Sequence, residues 1–175
     1  MCRGLDCRPF RHIKPLIVGR TNKVFQEVFR MDNIEMLVSD LAISEEDKQS
    51  VLQLATELDR RWNERDARAF ADLFEIDGDF RFHTGAWIKG RDSIEAFWRG
   101  EVFPRLPEGM RHMVITKRVR FITDNIAIGD GTLRLVDVGD GQERVHLETE
   151  GTLIAAKKNA RWYISAVRLT ALVSE

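Results

Sequence analysis

Cysteine is scarce in this sequence: Cys2 and Cys7 are the only two, and both lie at the very start. With no thiol in the rest of the chain, no disulfide framework can hold a fold together, a usage that points to a reducing compartment, the cytoplasm. Only His12 lies near the two thiols, so no metal site is expected. Long apolar runs are missing too. Nothing approaches the roughly eighteen residues that a membrane-spanning helix needs, and the longest candidate core of a secretory signal is Leu16 to Val18. There is no phosphate loop, nucleophile elbow, dinucleotide fingerprint or Cys/His array. Any activity therefore rests on acid–base groups and pocket shape, and no cofactor is expected. Nor is there an excess of charge: the formal net is -1, which exerts no general pull on nucleic acid or an anionic membrane.

The chain is 175 residues long, 43% hydrophobic and 31% charged, which suits one domain with a proper core. The charge is uneven. Residues 1 to 30 carry seven Lys and Arg against Asp6 and Glu27, a net of +5, so the remainder carries -6. That basic segment reads as a leader, an organelle-targeting segment, or sequence upstream of a start at Met31 or Met36. Residues 1–43 are accordingly expected to be a poorly ordered extension, and residues 44–175 the folded domain.

The first firm signal is Ser44 followed by Asp47, an N-cap with an acidic residue three positions on. Val51, Leu54, Ala55, Leu58 and Trp62 then recur at helical spacing, which predicts a helix over 45–64. Asp66 caps a second, shorter helix bearing Ala69, Phe70, Leu73 and Phe74. After Asp77-Gly78 the period changes to two, and Phe80 and Phe82, the turn Thr84-Gly85, then Trp87 and Ile88 predict a hairpin. Asp92 or Ser93 caps a third helix with Ile94, Phe97 and Trp98, which Pro104 and Pro107 end. Four strands follow, at about 111–122, 126–137, 143–157 and 161–172. The turns between them fall at Asp124-Asn125, Gly139-Asp140-Gly141 and Lys158-Asn159. Gly129-Asp130-Gly131 marks a bulge that would bend the second strand.

The economical packing is an α+β cone: a strongly curved antiparallel sheet wrapped around the long first helix, two further helices, and a pocket open at one end. The segments WNERDARAFADLF (62–74), DGDFRFHTG (77–85) and IKGRDSIEAFW (88–98) resemble the helix–helix–hairpin–helix half of the nuclear-transport-factor-2-like superfamily. Its members include ketosteroid isomerase-like and SnoaL-like domains. The resemblance extends over about 44–173 and implies the fold. It does not choose between isomerases, polyketide cyclases, dehydratases and binding modules.

Counting from the helix break at Asn63 to Asp66, the resemblance places the isomerase base at Phe82, its tyrosine at Leu58 and its carboxylic acid near Glu148. Two of the three positions lack the required group, so steroid-isomerase chemistry is not expected. His83 lies beside the lost base, either as a general base at the cavity mouth or as a half-exposed strand-end residue. His112 opens the first long strand in phase with Val114 and Thr116, facing either the pocket or its rim. In the third strand His146, Glu148 and Glu150 share one face and Val145, Leu147 and Thr149 the other. If the first set faces inward, Glu148 is a buried acid; if the second does, the polar set meets solvent. The candidate acid–base groups are thus His83, His112 and Glu148. Phe80, Phe82, Trp87, Trp98, Leu58 and Trp62 are candidates for the pocket wall.

Two readings follow. One is a small-molecule enzyme acting by proton abstraction next to a carbonyl of an apolar compound. The other is a non-catalytic ligand-binding or dimerisation module with the same cavity. They are told apart by whether a histidine and a carboxylate converge inside the pocket. Both expect a homodimer through the outer sheet face, whose alternating Val, Ile and Leu would otherwise be left wet. Light scattering over a concentration series should give the mass of two chains; a monomer throughout would refute the pairing.

Overall fold

In a computed structural model, residues 34–37, 41–138 and 143–171 are described. The expectations for Cys2, Cys7, His12, the basic leader and the Gly139–Gly141 turn lie outside them.

The long helix α1 spans Glu45–Asn63. Ser44 caps it by accepting from the Asp47 N–H at 3.1 Å, and Glu45, Glu46 and Asp47 set negative charge at its positive end. Val51, Leu54, Leu58 and Trp62 form its buried stripe. Asp66, accepting from the Ala69 N–H at 2.9 Å, starts α2, Ala67–Ala71. Strand β2, Phe74–Arg81, begins earlier than the periodicity predicts. Phe74 is its first residue and not the end of a helix, because it pairs with Ile164 of the last strand. Strand β3, Trp87–Lys89, completes the hairpin. Helix α3, Arg91–Phe97, is N-capped by Gly90 at φ +85 and not by Asp92 or Ser93. It runs on through a π-helical turn, Trp98–Val102, and a short 3-10 turn, Phe103–Arg105.

The meander consists of β4 (Met110–Thr123), β5 (Ile126–Asp137), β6 (Arg144–Lys158) and β7 (Arg161–Ala171). One further strand comes from the segment assigned to the extension. Glu35–Leu37, here β1, pairs in parallel with Arg118–Arg120 of β4, and Ile34, Met36, Leu41 and Ile43 pack against the core. The folded unit therefore begins before Ser44. The seven strands run in the order β1-β4-β5-β6-β7-β2-β3, with β2 parallel to β7 at the far side. The predicted bulge is present with its extra residue on the facing strand. Thr116 pairs with Gly131 and Arg118 with Asp130, so Lys117 of β4 is the unpaired residue.

The two ends of α1 are tied to opposite parts of the sheet. At its start Asp47 accepts from the Trp162 indole N–H at 2.8 Å and pairs with the Lys157 ammonium at 2.6 Å. Hydrogen bonds from Lys157 first and then Trp162 hold the Asp47 carboxyl below its ordinary value of 3.8; burial opposes them, and Ser44 adds a smaller lowering effect. A lowered folded value means the contribution is complete above 3.8 and is lost as pH falls through the lower folded value. Asp47→Ala should cost about 2 kcal/mol at neutral pH, because the buried Trp162 N–H loses its acceptor. Urea melts at pH 7 and below pH 4 check this: the gap between variant and wild type should shrink in acid.

Candidate active site

At the start of β4 no strand among the described residues lies beside the outer edge, since β1 pairs with Arg118–Arg120. The last turns of α1 supply the missing partners. The Asn63 side chain donates to the His112 carbonyl and accepts from the His112 N–H, both at 2.9 Å. One turn earlier, Asp59 accepts from the Val114 N–H at 2.9 Å with one oxygen and meets His112 Nδ1 at 2.6 Å with the other. Residues 59 and 63 are four apart and so share a helix face, which lets one helix dress two successive outward groups of the strand.

His112 is 8% exposed and its ring stacks on Trp62, centroids 5.1 Å apart. A carboxylate can only accept, so Nδ1 carries the hydrogen that Asp59 receives. Nε2 is left as the ring nitrogen without a hydrogen-bond partner among the described residues.

His112 also lines an open-sided cavity between α1 and the concave sheet. Leu58, Phe70, Phe80 and Leu133 are among its apolar walls, and no Lys or Arg among the described residues lines it. Its floor is glycine: Gly129 and Gly131 of β5 and Gly151 of β6. A histidine and a carboxylate thus converge at an apolar cavity, but the carboxylate is Asp59, which the sequence reading did not single out. The signal was available, since Asp59 and Asn63 flank the inward stripe of α1 at one-turn spacing.

The other sequence candidates are not brought together with His112. The register of β6 pairs Leu147 with Leu135 and Thr149 with Leu133, so the odd-numbered residues face the cavity side. Glu148 therefore points away from it and pairs with Arg134 at 2.5 Å, which corrects its placement as a buried acid. On the same outer face Glu150 meets Lys117 at 2.8 Å, and His146 stands 3.7 Å from Asp137. His83 is half-buried in the β2–β3 turn, does not line the cavity, and has an Nδ1 with no hydrogen bond. Burial lowers its pKa. Among the candidate wall residues, Leu58 and Phe80 do line the cavity. Trp62 is not among the lining residues; it stacks on His112. Phe82 and Trp98 belong to an aromatic cluster with Phe70, Phe80 and Phe97 behind the wall. Trp87 is 48% exposed beneath the Lys89 ammonium, outside the cavity.

The SnoaL-like domain family matches residues 44–168. The chain belongs to that family. Solved structures agree on the fold. A Nostoc punctiforme domain of unknown function with a cystatin-like fold is 21% identical, TM-score 0.67, over 75% of this chain and 80% of that one. A nuclear-transport-factor-2-like protein from Novosphingobium aromaticivorans is 20% identical, TM-score 0.67, over 74% and 84%. A Catenulispora acidiphila protein solved in complex with S-DNPA is 16% identical, TM-score 0.61, over 73% and 94%. No curated protein matches significantly. Among the described residues of this SnoaL-like domain, no cluster of His, Cys, Asp and Glu could hold a metal ion, and no helix is long and apolar enough to cross a membrane.

Asp59→Ala should shift the neutral His112 ring from the Nδ1–H form toward Nε2–H, read by long-range ¹⁵N–¹H correlation spectra. It should also lower stability by about 2–3 kcal/mol, since the Val114 N–H and the ring lose a shared acceptor.

Proposed function

We propose that this SnoaL-like domain is a cofactor-independent enzyme of the isomerase, cyclase or dehydratase type, acting on an apolar carbonyl compound. The observation that carries the reading is the Asp59–His112 pair, whose histidine lines an apolar cavity. In the proposed reaction Nε2 takes the proton from the carbon next to the carbonyl. Asp59 holds the ring's orientation and balances the imidazolium that forms. The proton is then returned to another atom of the substrate, which gives isomerisation, or to a departing hydroxyl, which gives dehydration. The low polarity around the ring strengthens the Asp59 interaction while the charge exists. His83 and Glu148 have no part in this scheme, because neither lines the cavity.

The second reading, a ligand-binding module, keeps the cavity and drops the proton transfer. Pairing of two chains through the outer sheet face stays with both readings. It is supported by Ile122 and Ile126, 44% and 38% exposed at the β4–β5 turn. The middle of that face carries Arg134–Glu148 and Lys117–Glu150 in place of the apolar alternation expected there.

The test follows the α-protons of small neutral ketones in D₂O by NMR. The wild type should speed their exchange for deuterium, and His112→Ala should reduce the enzymatic rate by about 10²–10⁴-fold while leaving ketone binding intact. Exchange that is equal in both proteins, or binding with no exchange in the wild type, would leave the binding module as the better reading.

A further inference from the structure

Three glycines make the floor of the cavity, and they are glycine for different reasons. At Gly131 a Cβ would collide with the Ile115 carbonyl across the bulge, so the fold itself excludes a side chain. At Gly151 a Cβ would press on Leu169 at 3.2 Å. At Gly129 a Cβ would meet nothing within 4 Å, and the backbone there is not in the left-handed region. Gly129 pairs with Val119 on one side and Leu153 on the other, and both line the cavity. Directly opposed residues share a sheet face, so a side chain at 129 would enter the cavity itself. A glycine inside a strand is destabilising relative to alanine, and no steric demand of the fold requires one at this position.

We infer that Gly129 is a specificity-determining residue that keeps the cavity open for the far end of an elongated, uncharged substrate whose reacting end lies at His112. This rests on the acid–base reading of His112 for the reacting end only. His112 pairs with Leu135, six residues along β5 from Gly129, so the floor between them is on the order of 20 Å of strand. Among the described residues, the lining along that path includes no Lys or Arg. Its one acid, Asp130, is engaged by Thr152 at 2.8 Å and Arg118 at 3.6 Å. No described residue on the path would neutralise a carboxylate or phosphate, which favours a neutral, apolar class.

Equilibrium binding of straight-chain methyl ketones, from butanone to dodecanone, tests this on the full chain, with dodecanoate as the charged counterpart. Wild-type affinity should rise about fourfold per added CH₂ through the longer members, and dodecanoate should bind at least about tenfold more weakly than dodecanone. In Gly129→Leu the rise should stop at a shorter chain, leaving dodecanone weakened by about tenfold or more. Gly129→Ala should show a smaller effect in the same direction, and its Tm should equal or exceed that of the wild type. Affinities that run parallel in wild type and both variants would overturn the inference, as would a wild type that binds no ketone. Dodecanoate binding as tightly as dodecanone would overturn the neutral class. Deuterium exchange of butanone by wild type and His112→Ala judges the catalytic reading separately. A length cut-off without exchange therefore sinks the chemistry and keeps Gly129, while exchange with no length effect does the reverse.

Discussion

The start of β4, where no strand among the described residues covers the outer edge, is the constraint on which the arrangement depends. Backbone N–H and carbonyl groups at a buried edge must find partners. Here Asn63 and Asp59 provide them, which fastens the last turns of α1 beside His112 and Val114. The opposite end of the helix is fastened by Asp47 to Lys157 and Trp162. The helix is thus held at both ends, with Val51, Leu54 and Leu58 of its middle turned inward and buried. The cavity lies between the helix and the concave sheet, and Asp59, one of the groups that hold the helix, also holds the His112 ring.

The sheet contributes by what it lacks. Bulky side chains fill the concave face toward one end, with Phe121 and Trp162 in edge contact at 5.8 Å. In the centre, Gly129, Gly131 and Gly151 withdraw the floor. The bulge at Lys117 bends β4 over Gly131, so curvature and cavity share one local cause. Behind the wall, Trp98 stacks on Phe70 at 4.8 Å and meets Phe80 at 4.9 Å, a stiff aromatic backing on which the α2–α3 side of the site rests.

Much of the architecture was legible because short-range rules act strongly here. Ser44 and Asp66 are caps whose position marks a helix start, and the stripe from Val51 to Trp62 has one spacing only. The four long strands alternate between tight turns, which leaves an antiparallel meander as the natural pairing. The rules failed where a long-range contact outweighed them. Phe74 joins a strand because Ile164 lies beside it. Glu35–Leu37 becomes a strand because β4 has an edge to offer. Gly90 caps α3 through its backbone conformation, although two better capping side chains follow it.

The candidate site was legible in part, for a related reason. Residue chemistry and periodicity bring out His112, Leu58 and Phe80, each of which belongs to a local pattern, but they do not decide which face of a strand is turned inward. In β6 both faces are coherent, one polar and one apolar, and only the register with β5 turns Leu147 and Thr149 inward and sends Glu148 to Arg134. Asp59 stayed hidden because its role exists only against a residue more than fifty positions away. Amino-acid order sets helices, strands, caps and turns, since these rest on neighbours within a few residues. Which carboxylate meets the histidine, and which glycine faces empty space, is decided by strand pairing between distant segments, and that belongs to the tertiary structure.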